Sequence, residues 1–145
     1  MEERTEGNEE NAMAEKVCLQ PCLGLRKEAV LGRQALYAVH EDMRPEQTVL
    51  GCGPALNANV QEDVDFINTF PVLALEACEL DCATRLVAKK GKQASRTVRV
   101  VDLAKEEQID FASLPEGENI DIGHPAVQAV AKRLAAMVDE LLAGK

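Results

Sequence analysis

Short apolar runs and amphipathic segments alternate along most of this chain. Runs rich in Val and Leu have the length of buried β-strands. They are Val17–Leu19, Thr48–Leu50, Val72–Leu75 and Val98–Leu103. Other segments repeat apolar residues at the spacing of one helix face, which predicts helices. These are Leu25–His40, Ala58–Asn68, Asp81–Lys90 and a last helix that begins at Pro125. Alternation of strands and helices at this spacing predicts a parallel sheet flanked by helices.

The expected fold is one α/β domain over residues 16–145 with about four strands, mostly parallel. We predict the strand order 2-1-3-4, which is flavodoxin-like or Rossmann-like, with right-handed connections. In an open sheet of this kind, ligands bind at the carboxyl ends of the strands. The loops that follow the strands are therefore where chemistry is expected.

Composition and charge narrow the class of protein. The chain has 145 residues, which suits one domain, and a net charge of −9. Residues 1–15 hold six Glu and one Arg without any apolar period, which predicts a disordered acidic tail. Lys and Arg do not cluster as nucleic-acid binding requires, and no apolar run reaches the roughly 20 residues that span a bilayer. The acidic N-terminus does not resemble a secretory signal. We expect a cytoplasmic protein that binds neither nucleic acid nor membrane.

Five cysteines are the main chemical feature of the chain. They lie at three places where a predicted strand gives way to a turn, namely Cys18 and Cys22, then Cys52, then Cys78 and Cys82. The predicted strand order brings these loops to one edge of the sheet. Cytoplasmic thiols stay reduced, and an odd number argues against a fully paired disulfide framework. Since four thiolates suit a tetrahedral zinc ion, the pattern predicts a Zn²⁺ site.

The second cysteine pair has the spacing C-x3-C at the start of a predicted helix. Within a helix, Cys78 and Cys82 would lie on one face with Cβ atoms about 5–6 Å apart. A helix N-terminus lowers the pKa of a thiol, whereas Asp81, the expected helix cap, opposes this with its charge. Cys52 lies between two glycines, where the backbone can turn tightly. His124 is kept as a reserve ligand from the loop before the last helix.

The stretch Leu75–Ala83 resembles the central motif of the DGC domain family, whose members are regarded as zinc-binding. That motif is typically Asp-Gly-Cys-Pro-x-x-Cys-Ala at the end of a strand. Here Glu76-Ala77 stands in place of Asp-Gly and Glu79 in place of Pro, while the cysteines match. The resemblance covers roughly residues 16–103. It implies zinc binding through Cys78, Cys82, Cys52 and one of Cys18 or Cys22.

Three functions remain open at this point. The first is a zinc-binding protein with a structural, metal-handling or accessory role. A closed four-thiolate site leaves no position for substrate water, which argues against hydrolytic catalysis. The second is a thiol redox protein or cysteine enzyme that uses a low-pKa Cys78 or Cys82. The third is an iron–sulfur protein, because four thiolates also hold such clusters.

Overall fold

The sheet has the predicted class and order. A computed structural model describes residues 14–116 and 119–145, so most of the predicted tail lies outside the described residues. The strands are Val17–Pro21 (β1), Thr48–Leu50 (β2), Val72–Glu76 (β3) and Arg96–Arg99 (β4). All three pairings are parallel, and the order is β2-β1-β3-β4. The predicted parallel α/β fold with order 2-1-3-4 is confirmed.

Six α-helices lie within the described residues. They are Lys27–Ala38 (α1), Gly53–Asn57 (α2), Gln61–Thr69 (α3), Cys82–Lys89 (α4), Val100–Glu106 (α5) and Pro125–Leu142 (α6). A π-helical turn, Val39–Met43, continues α1, and a 3₁₀ turn, Phe111–Ser113, follows α5. Across the part of the chain that is described, no helix is long and apolar enough to cross a membrane.

The two faces of the sheet carry separate apolar clusters. Alternate side chains of a strand point to opposite faces, so Leu19 and Leu73 join the larger cluster with α1, α5 and α6. Cys18 and Val72 point the other way, into a smaller cluster with α2, α3 and α4. The helices therefore cover both faces of the sheet, and the carboxyl ends of β1 and β3 emerge side by side between the two layers.

The fourth strand ends earlier than predicted. The run Val98–Leu103 was expected to be a strand, but β4 stops at Arg99 and α5 begins at Val100. Val100, Leu103 and Ala104 are buried at helical spacing in α5. β-Branched residues favour strands only where a pleated surface is available to pack on. Here the buried face of α5 favours a helix for these residues instead of a strand.

The helix predicted at Ala58–Asn68 is α3, Gln61–Thr69, and a separate short helix, α2, precedes it. Pro54 lies in the first turn of α2, a short helix in a segment that was predicted to be a turn. Asn59, between α2 and α3, has a left-handed backbone with φ 62, which interrupts the helical path. Pro125 does begin the last helix as predicted.

Candidate metal centre

Two cysteine loops leave the sheet next to each other. β1 and β3 are neighbouring parallel strands, and the backbone N–H of Cys22 donates to the carbonyl of Leu75 at 2.8 Å. Cys22 therefore lies directly beside the end of β3. Cys78 follows β3 after one residue, and Cys82 begins α4. Cys22 and Cys78 are partly buried, and Cys82 is exposed.

The thiols of these two loops are close enough to affect each other electrostatically. Partial desolvation of the Cys82 sulfur raises its pKa, although the residue as a whole is exposed, and the charges of Cys22, Glu76 and Cys78 raise it further. The nearby Arg85 opposes this shift. A like charge disfavours ionisation only at short range. Cys22, Cys78 and Cys82 therefore form one electrostatic group, which we call the thiol group.

A buried carboxylate occupies the start of α4. Glu76 is 1% exposed; its Oε1 accepts from the N–H of Ala83 at 3.1 Å, and its Oε2 accepts from the N–H of Thr84 at 2.6 Å. The hydroxyl of Thr84 also donates to Oε2 at 2.6 Å. Because these amides already bind a carboxylate, they do not stabilise a thiolate. The expectation that the helix N-terminus lowers the pKa of Cys82 is therefore wrong.

The sequence predicted that the side chain of Asp81 caps α4, and this prediction is wrong. Asp81 has the N-cap position and a left-handed backbone with φ 53, but its side chain makes no capping hydrogen bond. Its carboxylate accepts two hydrogen bonds from Arg99, from Nε at 3.1 Å and from Nη2 at 2.8 Å. These bonds lower the pKa of the Asp81 carboxyl. Glu76 is the capping residue instead.

Cys52 lies on the turn between β2 and α2. Its N–H donates to Oδ1 of the buried Asp63 at 2.9 Å, which fixes the turn. A Cβ added at Gly53 would lie 3.3 Å from Leu23 and 3.7 Å from Leu86. The turn therefore packs between the loop after β1 and helix α4. That the Cys52 sulfur converges with the thiol group stays a prediction.

Cys18 is the one buried cysteine of the five. It is inside β1, within the predicted run Val17–Leu19, and β1 continues beyond that run to Pro21. Its side chain is 0% exposed and belongs to the cluster with Leu56 and Val72. Burial raises the pKa of this thiol to about 12, and the charge of Asp63 adds to the shift.

His124 has a structural role at the start of α6. Its Nδ1 accepts from the N–H of Ala126 at 3.0 Å, which makes it the cap of that helix. The role of His124 as a reserve ligand stays a prediction.

The thiols are suitable ligands for zinc, although they are not gathered into a finished site. All five cysteines are free. Over residues 14–116 and 119–145, no group of three or more His, Cys, Asp or Glu side chains is arranged as a metal site. Thiolates are nevertheless preferred zinc ligands, and a bound cation would relieve the repulsion that disfavours the Cys82 thiolate. The residues present fit zinc in their chemistry.

Sequence reasoning missed three residues around these loops. Glu76 occupies the Asp position of the family motif, which was a signal for a buried carboxylate. Arg99 lay within a predicted strand, and its residue type and position did not indicate a role in the site.

Gln20 is 1% exposed, and neither the nitrogen nor the oxygen of its carboxamide has a hydrogen-bond partner in the described structure. Its Oε1 would lie 2.2 Å from a Cβ at Gly51, so the glycine is required by this close approach.

The fold and the cysteine loops define a small α/β protein with a thiol-rich sheet edge. The profile of the DGC domain matches residues 18–122, and the chain belongs to this family. No curated protein and no solved structure matches the chain.

Proposed function

We propose that this protein binds one zinc ion through Cys22, Cys52, Cys78 and Cys82. The role is structural, metal-handling or accessory rather than catalytic. The observation that carries the proposal is that two cysteine loops lie side by side, since the N–H of Cys22 donates to the carbonyl of Leu75 at the end of the strand that leads to Cys78 and Cys82. Thiols from two separate loops interact at the edge of the sheet where α/β proteins bind ligands.

Electrostatics supports a cation at this place. The charges of Cys22 and Cys78 add to the desolvation that makes the Cys82 thiolate harder to form. A divalent cation reverses this effect, since it binds thiolates directly and displaces their protons. Zinc accepts four thiolates in a tetrahedral arrangement with Zn–S distances of about 2.3 Å.

Cys22 is a better ligand candidate than Cys18. Cys22 is on the loop beside the end of β3, whereas Cys18 is buried within β1. A metal ligand at Cys18 would require its thiolate to form in an apolar cluster, where burial strongly disfavours the charge. The fourth thiol would come from the Cys52 turn, which packs between the loop after β1 and helix α4.

Family membership favours zinc over the two other functions that the sequence left open. A thiol redox protein needs a readily formed thiolate, and the pKa of Cys82 is shifted in the opposite direction. An iron–sulfur cluster uses the same donor atoms and is separated by its visible absorption. Free thiols suit the cytoplasm, where we place the protein.

Metal analysis of freshly purified, untagged protein tests the proposal. We expect about one zinc per chain, no visible absorption band, and loss of the zinc in Cys82→Ser. Cys18→Ala is the matched control, and it should keep its zinc because its thiol lies in the core. Absence of zinc from the wild type, or equal zinc in Cys82→Ser, would contradict the proposal. A visible band with bound iron would favour the iron–sulfur alternative.

A further inference from the structure

We propose that Arg99 is a positioning residue for the metal site. Its ion pair with Asp81 holds the segment between Cys78 and Cys82 in the conformation that lets both thiols bind one ion. This inference rests on the proposed zinc-binding function. It adds a residue from β4, a strand that carries no cysteine.

The segment between the two cysteines has an unfavourable backbone at one residue. Asp81 is left-handed, with φ 53, although it carries a Cβ. L-residues avoid this region for steric reasons, and a side chain found there is normally held by surrounding interactions. The carbonyl of Asp81 accepts the hydrogen bond from Arg85 that opens α4, at 2.9 Å. The conformation of Asp81 therefore sets where α4 begins.

Arg99 provides the interaction that holds Asp81. The two side chains form a paired contact, with Nε to Oδ1 at 3.1 Å and Nη2 to Oδ2 at 2.8 Å. A planar guanidinium bound through two nitrogens fixes the orientation of the carboxylate as well as its distance. Arg99 is the last residue of β4 and lies in register with Glu76 of β3. The sheet thus anchors the arginine, and the arginine anchors the loop.

The position of Asp81 connects the ion pair to the thiols. Cys82 follows it directly and is the first residue of α4, and Cys78 precedes it by one short turn, since the N–H of Asp81 donates to the carbonyl of Cys78 at 3.3 Å. Any change of backbone conformation at Asp81 would therefore move Cys82 relative to Cys78. Residues that orient metal ligands in this way typically change metal affinity about 10–100-fold when they are replaced.

Zinc affinity, measured by competition with a chromophoric chelator on the full chain, tests the inference. We expect the dissociation constant for zinc to be about 10-fold higher in Arg99→Gln and in Asp81→Asn than in the wild type. Asparagine tolerates the left-handed backbone, so the second variant removes the charge of the pair and keeps the preferred turn. Arg99→Lys keeps the charge but not the paired geometry, and should lie between the wild type and Arg99→Gln.

Arg44→Gln is the matched control. Arg44 forms the same kind of paired contact with Asp139, with both bonds at 2.7 Å. This pair joins the end of the π-helical turn before β2 to helix α6. Its loss should leave zinc affinity unchanged. Because exposed ion pairs contribute little to folding, all variants should keep urea midpoints close to that of the wild type. A structural role alone would move the midpoint and not the zinc affinity.

Hydrogen exchange of the metal-free protein gives a second measurement. Amides between Cys78 and Cys82 should exchange faster in Arg99→Gln and not in Arg44→Gln. Wild-type zinc binding with equal affinity in Arg99→Gln and Asp81→Asn would overturn this inference and leave the proposed function intact. A wild type that binds no zinc would overturn the proposed function, and the positioning role with it.

Discussion

Burial of Cys18 should make the stability of this fold fall at alkaline pH. The pKa of this thiol rises from its usual 9.0 to about 12 in the folded protein. Between these two values the unfolded chain loses the proton and the folded chain keeps it. The unfolded state then binds fewer protons, so the free energy of unfolding decreases as pH rises. Below the lower value the thiol is protonated in both states and has no effect.

The size of the effect follows from the shift. One pH unit inside this window changes the free energy of unfolding by about 1.4 kcal/mol for a single group. Between about pH 8 and about pH 10, Cys18 alone should remove about 1.4 kcal/mol, because most of its unfolded-state ionisation lies in that interval.

Urea unfolding of the wild type and of Cys18→Ala, at both pH values with reductant and chelator present, isolates this contribution. Other groups titrate in the same range, but they do so in both proteins, and their effects cancel in the difference. We expect Cys18→Ala to start less stable, because the substitution leaves a small cavity, and to lose less stability on going to alkaline pH. Equal pH dependence in the two proteins would refute the reasoning, since it would place the Cys18 thiol in contact with water.

Three further results are expected. Gly51→Ala should destabilise the fold by about 1 kcal/mol, because the added Cβ would lie 2.2 Å from Oε1 of Gln20, and the cost should be smaller in a chain that also carries Gln20→Ala. Additive changes in the free energy of unfolding, measured with urea, would contradict this. Glu76→Gln should destabilise the fold by roughly 1–3 kcal/mol and lower the pKa of the Cys82 thiol. That pKa is measured from the pH profile of alkylation with chelator present, and Glu79→Gln, the control, should change neither quantity. Zinc should raise the melting temperature by mass action, and a chelator should lower it without unfolding the domain; complete unfolding in chelator would contradict an apolar core that is stable without metal.

Most of the sheet could be predicted because its inner strands are short apolar runs that end at turn residues. β2 was predicted with its observed bounds, and the start of β3 was correct. β4 was harder because Val98, Val100 and Val101 suit a strand by residue type. Which of them leave the sheet depends on the space that α1 and α6 offer to Val100, and this is a tertiary effect.

The site was predictable as a set of loops but not as a set of side chains. Strand order alone brings Cys22 and Cys78 together, since their strands are neighbours. Sequence could not tell that the thiol of Cys18, within the predicted first strand, would be buried in the apolar cluster with Leu56 and Val72. Nor could it tell that Glu76 would reach the amides of α4 and replace Asp81 as the cap. Both results depend on where a side chain points after the chain has folded.

Timed alkylation with mass spectrometry, before and after addition of a chelator, tests the central claim most directly. If one zinc ion is bound by the thiol group and Cys52, these four thiols should react slowly at first and become reactive together once the metal is removed. Cys18 should stay unreactive in both conditions, because it is buried in the sheet. Fast reaction of a single cysteine that a chelator leaves unchanged would contradict the account and favour a thiol redox protein.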